Sequence, residues 1–415
     1  MPPSRDVAVF HPGTQHSWQT AYALQQLDRL AWYATSIYNR SDRFPYSLAR
    51  LPGGVGRRIA ATFRRFEHPG LDPALVRTSG LSEWAERAAF TAGLPALARR
   101  IDFAGNAAFG RGLRRAAGDT AVRALWGYNA SSETLFASPE AQAKLKILDR
   151  TNGDWRAYNA AMEQVADAFP QWFLPVERRV PQFQIARDQR EYEMADTILC
   201  GSEFAAQTVR REGGAGIAHK VRVLGYGYDE ALFGNLPAPR PIPPGEPVKF
   251  LFMGLAIPRK GIHHALEAIA RIPASAASLT VVGHLGVPPE AFAPYADRVE
   301  HRPTVARHEV PAIMAAHHVL VFPTYFEGAG IVLFEALAAG CALIQSDRAA
   351  PAVTPDTGLL LDEVSTDALH GAMLTAIEDR PRLDAWRAAA QAEGRKNSFA
   401  RYREGIAALL DELLA

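Results

Sequence analysis

The segment from Val319 to Gly340 constrains this chain most. Val319-Leu320-Val321-Phe322 is a short apolar run rich in valine, the composition of a strand buried on both faces of a parallel sheet. From Ile331 the spacing of Leu333, Phe334 and Leu337 among alanines predicts a helix, and Gly340 stands where a helix commonly stops. Between them lies Thr324-Tyr325-Phe326-Glu327-Gly328-Ala329-Gly330, a glycine-containing turn. The first turn of a helix presents unpaired amide N–H groups and the positive end of a dipole, which together attract an anion. Gly328 and Gly330 let a phosphate come close to the backbone. Glu327 before the helix and Glu335 inside it would repel phosphate, so they suit hydroxyl groups. A nucleotide sugar offers both chemistries. Spacing alone leaves a second reading open, because glutamate at a helix start is favoured by the dipole itself and Glu335 could be solvated.

Glu327-Gly328-Ala329-Gly330, followed by Glu335-Ala336-Leu337-Ala338-Ala339-Gly340, resembles the Glu-x7-Glu signature of the family 4 glycosyltransferases of GT-B fold. Leu343-Ile344-Gln345-Ser346-Asp347 extends the likeness. The resemblance implies an α/β architecture of two Rossmann-like domains facing a central cleft, with a C-terminal helix crossing back to the first. It implies that Glu327 contacts the donor sugar and Glu335 the ribose, with Gly328, Ala329, Gly330 and Ile331 on the nucleotide. It also implies retention of anomeric configuration.

Upstream, Val248 to Met253 reads as a strand ending at Gly254, then a turn to Gly261, then a helix from Ile262. Arg259 and Lys260 in that turn suit a diphosphate, the first as a fork of donors and the second as a point charge. The resembled family has an arginine directly after the strand's glycine; here Leu255 holds that place, so either Arg259 compensates or diphosphate binding is weaker. In GT-B enzymes the loops after the next two strands border the nucleobase, which makes His301 and Arg302 candidates. His317 and His318 read as a helix end, with no metal.

The first half opens in the same way. Val7 to Phe10 predicts a strand, His11-Pro12-Gly13-Thr14-Gln15-His16 a turn, and Trp18 to Leu30 a helical pattern. The dinucleotide fingerprint GxGxxG is lacking, so no nicotinamide cofactor is expected. Gly13 and His16 are candidates for the cleft. Trp32 to Tyr38, Ala124 to Tyr128, the run from Lys146, the run after Asp196 and Val221 to Leu224 predict further strands. Ser202 is placed to cap a helix. The family often carries histidine on the acceptor side; here only Asp149 and Asp154 could substitute, and an aspartate after a strand is more often a cap than a catalyst. Tyr226 takes an asparagine place of the family. Pro237 to Pro247 is proline-rich and reads as the linker. The domains are therefore expected at 1–236, with about 398–415 as the crossing helix, and at 237–397.

A chain of 415 residues exceeds what one core usually serves. Its formal net charge of +1 excludes a protein built mainly to neutralise nucleic acid. Charge is uneven, however: from Arg50 to Arg123 there is no lysine, and arginines come in pairs at 57–58, 64–65, 99–100 and 114–115 near Phe63, Phe66, Phe90 and Phe109. Such a surface can lie on anionic lipid or be a solvated face. Cys200 and Cys341 read as small core residues in a reducing compartment. No apolar run reaches the about 18 residues a spanning helix needs, and a cytoplasmic protein, peripheral on the inner face of a membrane, is expected.

The combined expectation is a retaining, metal-independent hexosyltransferase. Glu327, Lys260 and Arg259 carry the chemistry. Glu335, Gly328, Ala329, Gly330, Ile331, Gly254, His301, Arg302, Gly13 and His16 bind a UDP- or GDP-linked donor. No separate cofactor and no metal site are expected, the latter because no Asp-x-Asp pair occurs. The acceptor is a sugar or a lipid-linked sugar. Alternatives are an epimerase or phosphorylase on the same fold, or a non-catalytic nucleotide-sugar-binding or membrane-adaptor subunit.

Overall fold

The computed structural model describes residues 5–13, 16–40, 44, 46–63, 66–78, 84–85, 89, 91–174 and 179–415. Seven strands form the first sheet: β1 (Val7–Phe10), β2 (Leu30–Thr35), β3 (Val76–Thr78), β4 (Ala124–Tyr128), β5 (Leu145–Arg150), β6 (Thr197–Cys200) and β7 (Val221–Val223). Their order is β3-β2-β1-β4-β5-β6-β7. Six form the second: β8 (Val248–Met253), β9 (Ala277–Val282), β10 (Val299–Arg302), β11 (Val319–Phe322), β12 (Ala342–Gln345) and β13 (Gly358–Leu360), in the order β10-β9-β8-β11-β12-β13. The pairings of β1 with β2 and β4, and of β8 with β9 and β11, are parallel. The run read as a two-sided strand, β11, is buried throughout, and so are β1, β4 and β12. Helices on both faces satisfy that burial.

Each sheet has one place where the chain reverses its direction of winding. In the first it lies between β1 and β4, in the second between β8 and β11. Ligands of doubly wound sheets bind outside the carboxyl ends of the strands at this point. The chain divides into two compact units, Met1–Thr151 with Ala186–Leu199 and Arg403–Ala415, and Asn152–Ile185 with Cys200–Tyr402. The last helix, Phe399–Leu413, thus begins in the second unit and ends in the first. Ile406 and Leu410 are buried on it, and Arg123 Nη2 donates to the Leu414 carbonyl at 2.6 Å.

Several expectations shift. The first helix, Ser17–Gln26, stops short of Leu30, which belongs to β2, and β2 ends at Thr35 rather than Tyr38. The Ser36 amide there leaves the ladder for the Pro12 carbonyl at 3.0 Å. The arginine-rich region holds a helix at Gly53–Phe63, the unforeseen strand β3, and one helix of 23 residues, Pro95–Ala117. Pro95 opens that helix where its missing N–H costs nothing, and Arg114 and Arg115 lie in its last turn, where cations suit the dipole. Arg64, Arg65 and Phe90 lie outside the described residues. Segment 237–247 has neither helix nor strand and is tied to the helix Arg380–Gly394: Arg387 Nη1 donates to the Arg240 carbonyl at 2.8 Å. Cys200 and Cys341 are free and buried.

Candidate functional site

The turns after β8 and β11 are stitched together at the second reversal point. Gly261 ends the turn after β8 with φ +70°, and a Cβ there would lie 2.1 Å from the Pro323 carbonyl oxygen, so only glycine permits the approach. The Tyr325 amide then donates to the Arg259 carbonyl at 2.8 Å. This contact brings two cations onto one carboxylate. Arg259 Nη1 lies 3.1 Å and Lys260 Nζ 3.2 Å from the same oxygen, Glu327 Oε2. Arg259 Nη1 also donates to the Phe326 carbonyl. Lys260 Nζ stands over the Phe322 ring at 5.4 Å, and a Cβ at Gly254 would come within 3.2 Å of it, so Gly254 leaves room for the ammonium.

Glu327 is only 14% exposed. Burial acts to raise its pKa, but the attraction of Lys260 and Arg259 and the hydrogen bonds from both outweigh it, and the carboxyl is held below its usual range. Two cations against one carboxylate leave a net positive cluster. Gly330, at φ +78°, leads into the helix Ile331–Ala338. The loop in front of that helix is fixed from several sides: Ser202 Oγ donates to the Gly328 carbonyl, the Ala350 amide to the Ala329 carbonyl at 2.9 Å, and Phe326 sits edge-on to Tyr158 and Phe204. Ser202 also caps its own helix, accepting from the Ala205 amide at 3.1 Å.

The other predicted residues fall into distinct settings. Glu335 is buried and paired with Arg307, a partner the sequence reading missed because Arg307 lies in a short turn with no motif of its own. His301 Nε2 is bonded to the Gly283 carbonyl at 2.9 Å, and Arg302 is paired with Glu300 at 2.7 Å. Leu255, in the family's arginine place, is 51% exposed. Behind the turn, His264 bridges Thr366 Oγ1 at 2.8 Å and Tyr325 OH at 2.6 Å, a support that periodicity does not reveal. Burial lowers the pKa of His264 to about 4 and raises that of Tyr325 to about 12, with Glu267 and Glu363 adding to the latter.

The reversal point of the first sheet is different in kind. His11, directly after β1, is buried and stacks on Tyr128 at 5.2 Å, with Nδ1 3.3 Å from Ser131 Oγ in the turn after β4. Burial, with His16 nearby, lowers the His11 pKa to about 4. Ala130 in that turn has φ +73°, and the amides of Ala130, Ser132 and Glu133 donate to the buried Glu191 carboxylate at 2.8, 2.8 and 3.1 Å. His16 starts the helix Ser17–Gln26 without a side-chain cap bond, and Gly13 lies against the His11 ring. Asp154 caps the helix Trp155–Ala168 and pairs with Arg156, while Asp149 accepts from Trp126 Nε1 at 3.2 Å. Both carboxylates are thus engaged in holding structure. Among the described residues no cluster of metal-ligating side chains occurs.

Two parallel doubly wound sheets with these loops define a GT-B fold. Residues 247–379 match the family described as glycosyl transferases group 1, in line with the resemblance carried by Glu327 to Gly340. The chain is 27% identical over 154 residues to O-antigen chain mannosyltransferase B of Escherichia coli, covering 35% of this chain and 39% of that protein. It is 30% identical over 145 residues to a lipopolysaccharide glucosyltransferase of Escherichia coli strain K12, covering 33% and 39%. The chain therefore matches well under half the length of either curated relative. Among solved structures, sucrose-phosphate synthase from Thermosynechococcus elongatus superposes with a TM-score of 0.66 at 16% identity over 99% of both chains. An Anabaena protein solved with UDP and glucose gives 0.59 at 13% identity, over 98% of this chain and 99% of that one.

Proposed function

We propose that this protein transfers a hexosyl unit from a UDP- or GDP-linked sugar to an acceptor hydroxyl, with retention of configuration and without a metal, in the building of surface polysaccharide or glycolipid. One observation carries the reading: Lys260 and Arg259 converge on Glu327 at the reversal point of the second sheet, beside a helix amide end. In the transfer, the bond from the anomeric carbon to the diphosphate breaks with its electron pair going to the phosphate. Lys260, Arg259 and the amides from Gly328 to Ile331 offset that charge. The acceptor oxygen bonds to the anomeric carbon as its proton passes to the departing phosphate oxygen, which has taken the electron pair. Glu327 holds the sugar hydroxyls and Glu335 the ribose. The names of the two curated relatives support the polysaccharide assignment, and the structure solved with UDP and glucose supports the donor class. A panel of nucleotide sugars tested by thermal shift, followed by product analysis, is the test, since a ligand of the native state raises its melting temperature. No shift with any nucleotide sugar, and no hydrolysis of one, would remove the reading.

Contact with an anionic membrane is part of the same proposal. Phe44, Leu48, Leu51 and Val55 are exposed, Phe44 by 76%; the exposed Arg50 lies among them in sequence and the exposed Arg57 and Arg58 directly after them. Apolar anchors interleaved with guanidinium groups match a lipid surface. Sedimentation with phosphatidylglycerol vesicles, and not with neutral ones, is the expected result. Among the described residues no helix is long and apolar enough to cross a membrane.

A further inference from the structure

Arg259 has an edge that the Glu327 cluster does not use. Its Nη1 is committed to the Phe326 carbonyl and to Glu327, while Nε and Nη2 have no hydrogen-bond partner among the described residues. Neither atom is among the buried polar atoms that lack a partner, so both N–H groups reach the solvent side and can turn to an anionic partner. Arg259 also lines a cavity of about 190 Å³, together with Tyr158, Met162, Phe173, Val180 and Pro258, and Arg179 lines it as a second cation.

The cavity is a built feature. Asn159 locks Val180 to the helix Trp155–Ala168 by a reciprocal pair, Nδ2 to the Val180 carbonyl at 2.9 Å and the Val180 amide to Oδ1 at 2.8 Å. Met162 and Phe173 are buried in one apolar cluster against which Tyr158 packs. Tyr158 is held edge-on between Trp155 and Phe326 at 5.4 Å from each. Arg179 is paired with Glu163 of the same helix. The volume is below the roughly 300 Å³ at which sites for larger ligands begin, which suits one ring and not a whole nucleotide sugar.

We propose that this cavity binds a single sugar ring bearing a phosphate or a carboxylate, and that this anionic sugar is the acceptor; the second clause rests on the glycosyl-transfer reading. The aromatic and aliphatic walls take the apolar face of the ring. The guanidinium fork of Arg259 takes the anionic group in two parallel bonds, with Arg179 adding a second positive charge.

Calorimetry on the full chain with glucose, glucose 6-phosphate and glucuronate tests this, with UDP titrated in parallel. Both charged sugars are expected to bind at least tenfold more tightly than glucose, and their ratio separates phosphate from carboxylate preference. Val180→Trp, which fills the cavity from its wall, and Arg179→Ala are expected to weaken the charged sugars at least fivefold while leaving UDP affinity within twofold. Lys260→Ala is expected to do the reverse. Melting temperatures within a few degrees of wild type establish that the variants are folded. Equal affinity for glucose and the charged sugars overturns the proposal, as does a charged-sugar affinity that follows Lys260→Ala and ignores Val180→Trp. If the charged sugars bind as expected but no nucleotide sugar does, the cavity stands and the transfer reading falls.

Discussion

The two reversal points share a topology and differ in chemistry. At β8 and β11 the turns bring Lys260, Arg259 and Glu327 to one oxygen, leaving a net charge. At β1 and β4 the chain supplies its own occupants: His11 stacks on Tyr128 and reaches Ser131, and Glu191 fills the ring of amides at Ala130, Ser132 and Glu133. The two places are equivalent in topology, and the charge balance of the loops sets them apart: one keeps a net positive charge, and in the other the chain's own Glu191 takes the loop amides.

The largest expected effects break the charged place. Lys260→Ala should weaken nucleotide diphosphate binding and lower turnover by about 100-fold or more, the scale for removing a preorganised group that stabilises charge. Glu327→Ala should lower transfer similarly while nucleotide still binds. Normal turnover in the glutamate variant, or unchanged affinity in the lysine variant, would take either residue out of the site.

Next comes acid stability, where the two units should part. Burial lowers the pKa of His263 to about 2, of His318 to about 3 and of His264 to about 4, and it lowers that of His317; all four lie in the second unit. Each folded pKa is below the unfolded value of about 6.5, so the unfolded chain binds more protons. The stability is fully present above that pH and is lost as pH falls, by at most about 1.4 kcal/mol per pH unit for each group. The first unit has His11, depressed to about 4, and also Glu191, raised to about 7 by burial and by Asp188. Glu191 works in the opposite sense: its contribution is present below the unfolded carboxyl value and is lost as pH rises through about 7. Between pH 7 and pH 5 these two offset each other. Hydrogen exchange should show the second unit loosening first, and equal loosening would undo the contrast. Glu191→Gln should make the first unit acid-sensitive as well.

A smaller effect is expected at the stitch between the turns. Gly261→Ala must move a backbone carbonyl that a Cβ would meet at 2.1 Å, and it should cost at least about 1 kcal/mol of stability together with a severalfold loss of nucleotide affinity. Unchanged affinity would show that the two turns are positioned independently. The smallest expected effect is none: on the proposed reading, in which Lys260 and Arg259 take the place of a metal, turnover should persist in excess chelator.

How much of this was legible follows from where the signals lie. The strands of the second sheet and the helices after Gly261 and Gly330 were readable because unbroken apolar runs alternate with glycine turns and helical spacing. Lys260, Arg259 and Glu327 were readable as site candidates because a motif and the charge of a turn coincide there. Arg307 was not, since its partner Glu335 is far off in sequence and its own turn carries no pattern. β3 was missed because three residues are too few to show alternation. His11 was passed over for His16 although it directly follows the strand; only the stacking on Tyr128 and the bond to Ser131 distinguish the two. The cavity beside Arg259 depends on Asn159 holding Val180, a long-range pairing with no local signature.

Glu327 makes the site its own resident counter-ion. A guest that takes the two cations must dislodge that carboxylate, and a stranded, nearly enclosed carboxylate is costly. A bare diphosphate leaves it stranded, whereas a guest that also presents hydroxyls gives it somewhere to go. Selection for the complete donor over its spent fragment would then arise from an exchange of partners, with no contact to the base required.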